Sequence, residues 1–268
     1  MSEKPYFFAV VGDVHGHFFK MIEMLTGWEA ATGNRLRYVL QVGDIEPHRG
    51  REDADSMDAP EKYRQAGDFR FFYRGEAQIP WPMVFIGGNH EPNAWLEQHP
   101  RGAELIPGFH YLGRSGVFTL PDGLVVAGLS GIYRPSVWPD NRPAWSPEMT
   151  LPCKDLIGFT RGDIHRLIDL LDVSPDFLLL HDWPVGIDHV EGLITEPRGN
   201  QPARDLAEAL QPRFIFCGHL HRKHRTVLPY RNGAMSRVAC MRAVYQGWES
   251  LAIFEGNDGE IREVNATQ

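Results

Sequence analysis

The chain carries carboxylates, imidazoles and an amide at spacings that suit metal ligation. Asp13 and His15 stand two residues apart, so from an extended segment both side chains can point the same way. Both are metal-ligating types. Gly218-His219-Leu220-His221 repeats that spacing with two imidazoles. Between them in the chain lie Gly43-Asp44, Gly88-Asn89-His90-Glu91 and His181-Asp182. Asn89 offers a side-chain oxygen that a hard cation tolerates, and His90 beside it is suited to moving protons. His181 ends an apolar run, where an uncompensated polar group must find a partner. Each piece also has an ordinary reading. Gly-Asp commonly marks a turn, a lone H-x-H is as often a surface coincidence as a ligand pair, and Glu91 suits a helix N-terminus.

Hydrophobic periodicity supplies the elements that must position these residues. Residues 6–11, 36–42, 83–86, 177–180 and 213–217 are short apolar runs, the signature of buried strands. Helical spacing marks 18–29, 92–98, 161–171 and 202–210. Residues 109–112, 116–120 and 124–129 are β-like and separated by Gly, Pro and Asp, as in hairpins. More β-like pieces run from 226 to 254. The order predicts an α/β protein in which two mixed β-sheets pack face to face with helices outside, as one domain over 1–268. Every ligand candidate falls at a strand's C-terminal end, the edge where α/β proteins build their sites. Taken singly the pieces are ambiguous; their occurrence in one order at strand ends is not.

Composition narrows the class. With 43% hydrophobic and 23% charged residues over 268 positions, the chain is an ordinary globular protein. Apolar runs fall far short of the roughly 20 residues a membrane span needs, and no secretory signal opens the sequence. Cys153, Cys217 and Cys240 lack a C-x-x-C spacing and read as thiols of a reducing, cytoplasmic compartment. At a net charge of −8, a phosphate-bearing substrate must be attracted locally, by bound metal or a small basic patch.

The series D-x-H, G-D, G-N-H-E, H and G-H-x-H resembles the calcineurin-like metallophosphoesterase superfamily, with every ligand position filled. Within it, Pro60-Glu-Lys-Tyr-Arg64, Phe72-Tyr-Arg-Gly-Glu76, Phe85-Ile-Gly-Gly-Asn-His-Glu91, Leu129-Ser-Gly-Ile-Tyr133 and His181-Asp-Trp-Pro184 are similar to the catalytic domain of RNA lariat debranching enzymes. The similarity runs to about His224. It implies a four-layer α/β/β/α sandwich and two divalent metal ions (Mn, Fe, Zn or Mg). Asp13, His15 and His221 would hold one ion, Asn89, His181 and His219 the other, and Asp44 would bridge them. It further implies a metal-bridged hydroxide as nucleophile, with His90 stabilising developing charge or protonating the leaving oxygen. Eukaryotic debranching enzymes typically have cysteine where this chain has Asp13, so Asp13 restores the ordinary ligand set. The stretch Gly43-Asp-Ile-Glu-Pro-His-Arg-Gly50 lacks the second Asp of the Ser/Thr protein phosphatase motif G-D-x-x-D-R-G, which argues against that branch.

Substrate choice is expected to rest with the Pro-rich loop 130–160. Tyr133, Trp138 and Trp145 could stack on bases while Arg134, Arg142 and Arg161 contact phosphates. The competing reading packs these aromatics onto the sandwich and leaves the arginines solvated. His17, His48 and Arg49 lie close to the motifs and are further contact candidates, although His17 and His48 read first as polar neighbours with no catalytic role. Asp182 is expected to orient a neighbour, and His99, His110, His165, His189 and His224 read as surface or structural. The leading expectation is a metal-dependent phosphodiesterase acting on RNA-like or nucleotide diesters, branched 2′–5′ linkages being the sharpest form. A broad phosphoesterase for small diesters such as cyclic nucleotides is the alternative. A non-catalytic scaffold is disfavoured, because Asn89, His90 and both histidines of the H-x-H are retained.

Overall fold

The computed structural model describes residues 5–187 and 199–264. Among the described residues, thirteen strands form two sheets. The first, in spatial order, contains β13 (Glu260–Val264), β12 (Leu251–Asn257), β1 (Tyr6–Val11), β2 (Leu36–Gln41), β3 (Met83–Phe85), β5 (Phe109–Tyr111) and β4 (Ala103–Ile106). The second contains β10 (His224–Pro229), β11 (Met235–Cys240), β9 (Phe214–Cys217), β8 (Phe177–Leu180), β7 (Val125–Leu129) and β6 (Ser115–Thr119). Both are mixed. β1, β2, β3 and β5 run parallel in one sheet and β7, β8, β9 and β11 in the other, with antiparallel strands at the edges.

The apolar runs are continuous because each central strand is buried on both faces. In β1, Phe8 and Val10 enter the core between the sheets, while Ala9 and Val11 face the outer layer that holds α1 (Phe18–Thr32). In β8, Phe177 and Leu179 point between the sheets and Leu178 and Leu180 outward, towards α5 (Arg161–Asp169) and α6 (Gln201–Leu210). Side-chain alternation in a strand makes this division. The result is three cores between four layers, α/β/β/α, as expected. α1 buries Phe18, Met21, Leu25 and Trp28, one stripe at helical spacing. α5 starts in a reciprocal cap between Thr160 and Asp163, and the Asn200 side chain accepts the Ala203 amide to open α6. No helix among the described residues is long and apolar enough to cross a membrane.

The hairpin expectation for 109–129 needs correction. β6 and β7 do form one, but β5 pairs with β3 and β4 in the opposite sheet, so the chain changes sheets at Gly113. The helix expected over 92–98 is a single turn, α4 (Asn93–Leu96). Two short helices, α2 (Arg51–Ser56) and α3 (Phe69–Tyr73), and the strand β4 have no counterpart in the sequence reading. Each is short and interrupted by polar residues, so it shows neither a repeating period nor an unbroken apolar run.

Phe8 sits at the centre of the inter-sheet core, its ring 5.1 Å from Tyr38, 5.2 Å from Phe254 and 5.3 Å from Phe177. Phe8→Ala should cost about 3–5 kcal/mol of unfolding free energy in urea titration. A loss below about 1 kcal/mol would mean that the two sheets do not depend on this contact.

Candidate metal centre

Every loop that carries a ligand candidate leaves the C-terminal end of a parallel strand. Asp13 follows β1, Asp44 follows β2, Asn89 and His90 follow β3, His181 follows β8, and His219 and His221 follow β9. Face-to-face packing brings these ends to one edge. There Asp13, His15, Asp44 and His221 each present a donor atom, all within 4.8 Å of one another. Asp44, His181 and His219 form a second such set. Asn89 Oδ1 lies 3.1 Å from His181 Nε2, beside that second set. Asp44 belongs to both.

Three of the imidazoles are aimed by their other nitrogen. His181 Nδ1–H donates to the Val42 carbonyl at 2.8 Å, leaving Nε2 3.3 Å from Asp44 Oδ1. His15 Nδ1–H donates to Glu46 Oε1 at 2.7 Å, and His221 Nδ1 meets the Tyr245 hydroxyl at 3.0 Å. The Nε2 atoms of His15 and His221 then face each other at 3.1 Å, with Asp13 Oδ2 2.9 Å from the latter. Such outer partners set the tautomer and orientation of ligating histidines.

The electrostatics favour a cation. Burial works against protonation of His15, but Glu46, Asp44 and Asp13 outweigh it and raise its pKa to about 9. His181 is likewise raised to about 10, burial again being overcome, chiefly by Asp44. Positive charge is therefore drawn to the space between these groups. The donors are oxygen and nitrogen, with no thiolate in either set among the described residues. Cys217 and Cys240 are buried on β9 and β11. That donor chemistry fits a hard or borderline divalent ion.

The backbone is strained where the ligands sit. His15, Asp44, Glu46, His219 and His221 all have positive φ, from 47° to 64°, a region non-glycine residues enter at a cost of about 1–3 kcal/mol each. Close approach also dictates glycine at two positions. A Cβ on Gly88 would lie 2.1 Å from Asp44 Oδ1, and one on Gly218 would lie 2.2 Å from Asp13 Oδ1. The amide of His90 donates to Asp44 Oδ1 at 2.7 Å, and that of His219 to both Asp13 oxygens at 3.1 Å.

Glu91 does not serve a helix N-terminus. Its carboxylate accepts the amides of Gly88, Ile45 and Glu46, tying the loop after β3 to the loop after β2. Burial, then the nearby Asp44 charge, pushes its pKa up to about 8. Glu46 and Tyr245 are absent from the sequence reading. Glu46 stands two residues after Asp44, the same spacing as Asp13 to His15, which is a usable signal; Tyr245 follows β11 with no motif around it.

The remaining candidates are placed as follows. The His90 ring lies 5.6 Å from that of His15 and, with exposed His17, lines a cavity of about 770 Å³ beside the centre. His48 is fully buried, 3.6 Å from Glu46 Oε2. Arg49 is ion-paired with Asp53 and stacks on Trp95. In loop 130–160, Tyr133 and Trp138 pack on Phe159, while the Trp145 indole nitrogen is buried with no hydrogen-bond partner among the described residues. Arg134 pairs with Asp155, Arg142 with Asp163 and Arg161 with Asp140. None of these loop residues lines the cavity. Asp182 accepts the amides of Tyr133 and Trp183 and the Asn200 side chain, joining the loop to the strand that carries His181. His189 lies outside the described residues.

This fold and this cluster define a class. The family model for calcineurin-like phosphoesterases matches residues 8–223, and the chain belongs to that family. It is 30% identical over 238 residues to the lariat debranching enzyme of Drosophila melanogaster, covering 84% of this chain and 44% of that protein. To the lariat debranching enzyme of Arabidopsis thaliana it is 28% identical over 262 residues, covering 92% of this chain and 62% of that one. The chain thus spans about half the length of these relatives. TT1561 of Thermus thermophilus shares the fold, with a TM-score of 0.56 at 14% identity over 98% of this chain and 100% of that one.

Gly88→Ala should displace Asp44 and His181 and lower the bound metal measured by mass spectrometry after manganese loading, while circular dichroism stays native. Full metal content in that variant would show that the tight approach of Gly88 to Asp44 has no bearing on cation binding.

Proposed function

We propose that the chain hydrolyses phosphodiesters at a two-cation centre, acting on RNA-like or nucleotide diesters. The observation that carries this reading is the membership of Asp44 in both donor sets. Asp13, His15 and His221 would hold one divalent ion, Asn89, His181 and His219 the second, with Asp44 shared. Such a pair, when bound, supplies Lewis-acid stabilisation of phosphoryl oxygens and an activated water. The protein's own groups do the rest. Glu46, Val42 and Tyr245 keep three imidazoles turned inward. The backbone amide of His90 holds Asp44, and its ring, on the wall of the cavity, is placed to give a proton to the leaving oxygen or to offset its charge.

Branched 2′–5′ RNA is the sharpest form of the proposal, supported by the lariat debranching relatives. A small-diester activity, on cyclic nucleotides for example, is the second reading. It is favoured by the internal pairing of the loop arginines and by a cavity sized for a small ligand.

Manganese-loaded protein should turn over bis(p-nitrophenyl) phosphate. His90→Ala should keep its metal and lose about 10²–10⁴-fold in kcat; loss of metal instead would assign His90 to the cation cage. Competition among a branched RNA, a linear 3′–5′ RNA and a cyclic nucleotide decides the substrate. Preference for the branched RNA supports the first form, and preference for the cyclic nucleotide supports the second.

A further inference from the structure

The cavity beside the metal centre has two walls. One is the centre itself, with His15, Glu46, His90 and His221. The other comes from residues 63–70, which no role given so far absorbs, and Tyr245, whose hydroxyl orients His221. Tyr63 belongs to the Pro60-Glu-Lys-Tyr-Arg64 motif and leaves 55% of its surface exposed; Tyr245 leaves 47%. The Tyr245 hydroxyl is engaged with His221 and its ring packs against those of His15, His17 and His221, so what it offers the cavity is its exposed side. Half-buried Arg70 lies 5.0 Å over the Phe71 ring and forms no ion pair with a carboxylate among the described residues.

This wall is held in register with the ligands. The Asp68 amide donates to the Gly16 carbonyl at 2.9 Å, directly after the Asp13-x-His15 segment. A Cβ on Gly67 would lie 2.8 Å from Gly16 Cα, so the two backbones touch. The Asp68 carboxylate is turned to the Phe19 amide. By contrast, Arg134 and Arg142 of loop 130–160 and Arg161 at the start of α5 are held on the carboxylates of Asp155, Asp163 and Asp140.

We propose that Tyr63, Arg70 and Tyr245 bind the nucleoside part of a nucleotidyl substrate, a base stacking on exposed tyrosine and Arg70 meeting a flanking phosphate. The proposal rests on the phosphodiesterase reading and names its substrate class. Aromatic rings stack on any base face, and a volume of about 770 Å³ falls within the roughly 300–1,000 Å³ typical of small-ligand sites.

The test is binding of adenosine 5′-monophosphate against inorganic phosphate to the manganese-loaded chain, by calorimetry. The wild-type protein should prefer the nucleotide by about tenfold or more, and Tyr63→Ala should reduce that preference by about tenfold, while Arg70→Ala should reduce by about tenfold the preference for a 5′-phosphorylated adenosine dinucleotide, which carries a second phosphate, over adenosine 5′-monophosphate. Tyr63 is exposed and Arg70 half-buried, and neither is a metal-ligand candidate, so native circular dichroism and metal content are expected in the variants. Equal affinity of the wild type for the two ligands, or parallel loss of both in the variants, would overturn the proposal. Failure of the underlying reading shows separately, as no turnover of bis(p-nitrophenyl) phosphate by the same preparation.

Discussion

The Asp44 carboxylate is the constraint on which the site depends. It is essentially buried, with one oxygen 2.7 Å from the His90 amide and 3.3 Å from His181 Nε2. Burial by itself would disfavour its charge, but His181 and His90 hold it ionised, well below the usual carboxylate range. Removing such a group from water is costly unless opposite charge surrounds it. Imidazoles from both sheets supply part of that charge, and a bound cation would supply more. The positive φ values at five site residues and the glycines at 88 and 218 are consequences of crowding these groups onto one edge.

The four layers follow from the same requirement. Parallel strands bring their C-terminal ends to one edge, and packing two such sheets face to face doubles the number of loops that reach it. Asp13 and His219, 206 residues apart, meet through a backbone amide because β1 and β9 end side by side across the inter-sheet core. Glu91 joins two of these loops, accepting the Gly88 amide of its own loop and the Ile45 and Glu46 amides of the loop after β2. Ligand positions and core packing are thus two results of one arrangement.

Much of this is legible in the residues. Apolar runs ending in Asp, His or Asn predict both the central strands and the edge where they converge. The short elements α2, α3 and β4 are not legible, because polar residues interrupt them and they show neither a repeating period nor the unbroken apolar run that marks β3, β8 and β9. The change of sheet at Gly113 is hidden as well, since a Gly-rich join between two strands looks the same whether or not they pair. Glu46 can be found from its spacing to Asp44; Tyr245 cannot, because its contact with His221 depends on where β11 ends. The aromatic and basic residues of 130–160 draw attention as recognition groups, yet composition alone does not say which of them are spent on the loop's own packing.

The most direct test of a centre shared through Asp44 is anomalous diffraction from crystals grown with manganese. The account predicts two manganese peaks at the sheet edge, each in contact with the Asp44 carboxylate, one beside Asp13, His15 and His221 and the other beside Asn89, His181 and His219. A single peak, or two peaks with Asp44 touching neither, would contradict it.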